Sequence, residues 1–116
     1  MNASIENLPN MTCIRPSGRL DFEAAASFQT QVDQAIAESV KRQAPVVMDC
    51  NGLEYVSSAG LRVFLVAARA AKAGSVAFIV CSLTPSVKEV FDVSGFGRII
   101  DVQADFATAS AKITGA

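Results

Sequence analysis

Apolar residues fall along this chain in two rhythms, short continuous runs and four-residue repeats, and the two take turns. Phe28, Val32 and Ile36 stand four apart after Asp21, which predicts a half-buried helix with Asp21 as its N-cap. Lys41 and Arg42 suit the negative pole of that helix, and Pro45 bounds it. A second helix is predicted from about Ser58 to Ala73, with Leu61, Leu65, Ala68 and Lys72 as its stripe and Gly74 as its stop. Thr84-Pro85 opens a third, with a hydroxyl cap and proline at the first helical position; Val87, Val90 and Phe91 form its apolar side, and Ser94-Gly95 closes it. Asp105 caps a fourth, which carries Phe106, Ala109 and Ile113.

Between these lie runs of strand length: residues 11–15, punctuated by Pro16-Ser17-Gly18, then Val46-Val47-Met48, residues 76–81 and residues 99–102. Ile5 and Leu8 suggest a weak edge strand before them. The order β-β-α-β-α-β-α-β-α predicts an α/β domain whose parallel strands are joined by right-handed crossovers.

Composition narrows the function classes. With 116 residues, 51 % of them apolar, the chain is the size of one domain (1–116) and can bury a core without disulfides or metal. Ten Lys and Arg face eleven Asp and Glu, scattered with no basic run, which argues against nucleic acid and against an anionic membrane surface. No apolar stretch reaches the ~20 residues that span a bilayer, and MNASIENLPN does not read as a signal peptide, so a soluble, cytoplasmic protein is expected. Cys13, Cys50 and Cys81 lack CxxC spacing and read as buried, reduced thiols, so no metal site is expected. The chain has no histidine, which removes the commonest general base and zinc ligand.

What chemistry remains points to one loop. In open α/β sheets, function gathers where parallel strands end. After Val46–Met48 comes Asp49-Cys50-Asn51-Gly52-Leu53-Glu54-Tyr55-Val56-Ser57-Ser58-Ala59-Gly60, which delivers two adjacent serines to a helix start. Either serine serves as a plain N-cap, or the pair is a functional loop. Capping alone does not explain Gly60, because a glycine in the first turn costs roughly 1 kcal/mol and is useful where a backbone or ligand approaches closely, but on the residues alone the two readings stand level. A catalytic serine is not expected: there is no G-x-S-x-G, no Ser-x-x-Lys and no histidine. No phosphate-cradling GxxxxGK[ST] is present, and Gly95-Phe96-Gly97 follows a helix instead of a strand, so no cofactor is expected.

The segment Val46-Val47-Met48-Asp49-Cys50-Asn51-Gly52-Leu53-Glu54-Tyr55-Val56-Ser57-Ser58-Ala59-Gly60-Leu61-Arg62-Val63-Phe64-Leu65 resembles the signature of STAS domains, the family of bacterial anti-sigma-factor antagonists. Ser17-Gly18-Arg19-Leu20-Asp21 and residues 87–96 are similar to the same family, and the likeness covers about residues 10–112. It implies a mixed, mostly parallel sheet of four or five strands with about four helices, packed mainly on one face. It also implies a non-enzymatic protein that binds a serine-kinase anti-sigma factor, an ATPase of the histidine-kinase-like type. Phosphorylation of a serine at the second helix start would release it, and a metal-dependent serine phosphatase would restore it. Matching the motifs puts that serine at Ser58, with Ser57 as runner-up.

Three positions depart from the family pattern: Ser57 stands where aspartate is usual, Ala59 where serine or threonine is common, and Arg62 where the motif has its second glycine. The expected partner face combines Asp21, Asp49, Leu53, Tyr55, Val56, Ser57, Gly60, Leu61 and Arg62, although Val56 and Leu61 also read as ordinary core. The resemblance suggests a monomer when free. The alternative within the family is a free-standing STAS subunit of a lipid-transport ABC complex, which binds its ATPase without obligatory phosphorylation.

Overall fold

The computed structural model describes residues 1–114, and its sheet has six strands: β1 (Asn2–Leu8), β2 (Met11–Leu20), β3 (Val46–Asp49), β4 (Gly52–Val56), β5 (Phe78–Cys81) and β6 (Asp101–Gln103). Four helices intervene or follow: α1 (Phe22–Arg42), α2 (Ser58–Ala73), α3 (Pro85–Val93) and α4 (Phe106–Thr114). Neighbours in the sheet run β1-β2-β3-β5-β6, with β1 antiparallel to β2 and the other pairings parallel. The mixed, mostly parallel α/β architecture is as the sequence predicts, with one strand more than expected.

That extra strand is β4, which lies inside the segment read as a loop. It pairs parallel with the second half of β2, Ser17 to Leu20, beyond the end of β3. For the same reason β2 does not stop at Pro16. It exchanges β3 for β4 as partner between Ile14 and Ser17, so proline, which has no N–H to give, falls where neither parallel partner is paired.

Strand alternation sorts the core into two sides. Ile14, Val46, Met48, Phe78 and Val80 pack with α1, α2 and α3, whereas Met11, Val47, Ile79 and Cys81 pack with Ala109 of α4. Three helices therefore cover one face and only α4 the other. Phe91 of α3 anchors the larger core with its ring edge-on to Phe64 at 5.2 Å. The stripe of α2 is turned from the expected one: Gly60, Leu61, Val63, Phe64, Ala67 and Ala71 are buried, while Lys72 is exposed and Leu65 and Ala68 are half-buried. Nearly every residue from Leu61 to Ala68 is apolar, so spacing alone could not select the face.

Caps fall where the sequence puts them, with one exception. Asp21 and Asp105 accept the N–H groups of Ala24 and Thr108. Thr84 makes no cap bond; its hydroxyl donates to the Leu53 carbonyl at 3.2 Å and ties the start of α3 to β4. Gly95 takes a left-handed φ of 75° after α3, as a helix-closing glycine should.

Candidate functional site: two helix starts beside one strand pair

β2 and β4 end in register, Leu20 opposite Val56, and each strand leads into its helix two residues later, through a single N-cap residue. The N-caps Asp21 and Ser57 thus follow paired residues, and α1 and α2 begin side by side. The Ser57 hydroxyl works twice. It accepts from the Gly60 N–H at 3.1 Å and donates to the Leu20 carbonyl at 3.1 Å. The Ser57 N–H reaches the same carbonyl at 2.9 Å.

Gly60 explains the closeness. A Cβ there would stand 2.7 Å from Leu20 Cγ, 2.8 Å from the Leu20 carbonyl oxygen and 2.9 Å from Val56 Cγ2. The approach inferred from a glycine in the first turn is that of β2's own backbone.

Ser58 is the first residue of α2, and its side is open to solvent. Phe22 holds the same first position in α1 and is 80 % exposed. Between the helices runs an open groove of about 400 Å³, lined by Phe22, Glu23, Ala26, Gln29, Ala59 and Arg62 among others. Tyr55, 40 % exposed, lies under the Arg19 guanidinium at 4.2 Å, the two being opposite one another across β2 and β4.

The residues expected on a partner face divide. Asp21, Tyr55, Ser57 and Arg62 reach the surface at or near the helix starts, together with Ser58. Leu53, Val56, Gly60 and Leu61 do not: they are buried in the core between the sheet and α1–α3, so their side chains are withdrawn from any partner. The β-bulge causes part of this. Gly18 pairs with Leu53 and Arg19 with Tyr55, so Glu54 is the extra residue and both Leu53 and Val56 turn inward. Asp49 lies elsewhere. It shares the parity of Val47, pairs with Arg15 at 3.5 Å, accepts the Asn51 N–H at 3.2 Å, and lines a separate depression with Ser4 and Ser17. Phe22 and Arg19 were missed as candidates. The signal for Phe22 was a bulky apolar residue directly after an N-cap, off the 28-32-36 stripe.

Chemically, the site presents an accessible hydroxyl without a histidine to activate it. The cysteines are free and buried, and burial pushes the thiols of Cys13 and Cys81 up to about 11 and that of Cys50 well above its ordinary value. Among the described residues no group of three or more Cys, Asp or Glu could hold a metal ion, and no helix is long and apolar enough to cross a membrane.

Comparison with known proteins bears on the family and the fold. The STAS domain model matches residues 2–109. BtrV of Bordetella bronchiseptica, a candidate anti-sigma factor antagonist, is 39 % identical over 102 residues, covering 80 % of this chain and 88 % of that protein. The anti-sigma F factor antagonist of Paenibacillus polymyxa is 26 % identical over 103 residues, covering 88 % and 86 %. Among solved structures, the anti-sigma factor antagonist SpoIIAA in its unphosphorylated form superposes with a TM-score of 0.79 at 22 % identity, over 99 % of this chain and 98 % of that one.

Proposed function

The chain belongs to the STAS domain family, and on that premise we propose that it is an anti-sigma-factor antagonist switched by phosphorylation of Ser58. In this reading it binds a serine-kinase anti-sigma factor through the surface around the starts of α1 and α2, and has no catalytic activity of its own. The kinase phosphorylates Ser58, the antagonist is released, and a metal-dependent serine phosphatase returns it to the binding form.

One observation carries the choice of serine. The Ser57 hydroxyl is engaged as both acceptor and donor in the helix start, whereas Ser58 stands exposed one residue later. Phosphorylating Ser57 would break the cap; phosphorylating Ser58 leaves it intact. A phosphate on Ser58 adds about −1.5 to −2 charges next to the positive pole of α2, which the domain tolerates. A partner that buries the same spot does not, because desolvating a dianion is costly. The modification thus acts on binding and spares the fold.

The test is to immobilise the wild-type chain and Ser58→Glu, expose both to a lysate of the source organism, and identify bound proteins by mass spectrometry. The expected result is a small ATPase of the serine-kinase anti-sigma type on the wild type and its loss on Ser58→Glu, with the two melting temperatures nearly equal. Transporter subunits captured equally by both would overturn the switch and favour a lipid-transport role. A large fall in melting temperature would mark Ser58 as structural.

A further inference from the structure

We propose that Arg62 is the intramolecular partner of a phosphate on Ser58, a positioning residue that draws the modified side chain down along α2. The inference deepens the reading above and rests on Ser58 as the site of modification. Ser58 and Arg62 are separated by four residues in one continuous helix, so they lie on the same side of α2, one turn apart. Both are exposed. Gly60 and Val63 are buried on the far side of the helix, and Leu61, also buried, flanks the pair toward the core, so the path from Ser58 to Arg62 runs along the solvent side.

Charge and direction favour the pair. An acidic group four residues before a basic one is the better of the two orders on a helix. The guanidinium fork matches phosphate oxygens in pairs, which a lysine ammonium cannot do. Arg62 takes part in no ion pair among the described residues, so its charge is available. The other charged groups around this helix start are Asp21 at the cap of α1, Glu23 on α1, Arg19 on β2 and Glu54 on β4. Glu23 shares the groove with Arg62 and is its competitor for the guanidinium. Arg19 is held over the Tyr55 ring.

The consequence is a second change at the partner face. Phosphorylation installs a dianion at the head of the groove and, at the same time, withdraws the cation from the groove wall. A partner that had paired an acidic side chain with Arg62 loses that contact as well as meeting the phosphate.

The measurement is a phosphorus NMR pH titration of the full chain carrying phosphoserine at position 58, installed by genetic encoding so that no kinase is needed. The second ionisation of free phosphoserine lies near ~6. In the phosphorylated wild type it is expected to fall below that value. In Arg62→Ala and Arg62→Gln it should rise again by about half a unit, with Arg62→Lys in between, the size given by a charge-assisted pair one helical turn apart. Coincident titrations in the wild type and both neutral variants would overturn the pairing. Capture of binding proteins by phosphorylated and unphosphorylated wild type is scored separately. If both forms capture the same proteins, the switch falls while the titration still decides the role of Arg62.

Discussion

Gly60→Ala sets helix propensity against tertiary approach, and the structure says which wins. In an unobstructed helix the replacement stabilises by up to about 1 kcal/mol. Here the new methyl would lie under 3 Å from three atoms at once, Leu20 Cγ, the Leu20 carbonyl oxygen and Val56 Cγ2. The leucine side chain can turn aside only within a filled core, since Leu20 is fully buried. The carbonyl cannot move cheaply, because it accepts both the N–H and the hydroxyl of Ser57. Overpacking costs about 1–3 kcal/mol and weakening these hydrogen bonds about 1 kcal/mol, so the net loss is about 2 kcal/mol. For a chain of this length that corresponds to a fall of roughly 8 °C in Tm. Urea unfolding followed by circular dichroism measures it, with an unchanged slope indicating that only stability moved. Gly97→Ala is the control: its nearest neighbour would be 4.0 Å away, so it should change stability by less than about 0.5 kcal/mol. A Gly60→Ala protein as stable as the wild type would refute the close approach of β2 to α2, and with it the account of why the two helix starts sit together.

Two further outcomes follow from the same structure. Ser57→Ala removes a working N-cap and should cost about 1–2 kcal/mol in urea unfolding, whereas exposed Ser58→Ala should stay within about 0.5 kcal/mol of wild type. Equal losses would reverse the division of labour between the serines. Asp101 loses some solvation on folding, which alone would raise its pKa, but hydrogen bonds from Lys112 and Gln103 outweigh this and hold it below the ordinary 3.8. A depressed carboxylate contributes stability that is present above its unfolded value and lost as pH falls through the folded one. The stability difference between wild type and Asp101→Asn should therefore hold from pH 7 to about 5 and shrink below about 4; a difference that grows on acidification would refute the pairing.

Local signals were legible and registers were not. The ends of α2 and the caps Asp21 and Asp105 depend on a few neighbouring residues, and the structure has them where the sequence puts them. The strand β4 was unreadable because the bulge at Glu54 breaks period-two alternation, so Leu53 and Val56 are both buried although three residues apart. Without β4 there was no way to see that Leu20 pairs with Val56. That pairing places the start of α1 beside the serines and makes exposed Phe22 part of the same surface. The serine loop itself was legible as unusual, because a glycine in a helix's first turn has to be explained by something outside the helix.

Ser57 in place of the aspartate usual in the family shows how a departure in sequence can preserve one role while altering another. As an N-cap the two are nearly equivalent: Ser57 accepts the Gly60 N–H, and an aspartate there could accept it as well. Only serine also carries a proton to give, and it gives it to the Leu20 carbonyl, so the end of β2 is bonded to the start of α2 through backbone and side chain together. An ionised aspartate could not make the second bond and would lay a negative charge beside Ser58. Repulsion between that charge and a phosphate dianion about 6 Å away amounts to about 1 kcal/mol even at the dielectric of water. Ser57 lacks this charge, and under the proposed pairing Arg62 one turn along would add an attraction, so a phosphate on Ser58 would meet less opposition here than beside an aspartate. In the proposed switch the helix start is held by Ser57 and charged at Ser58, so that modification would change what the surface binds without changing how the domain folds.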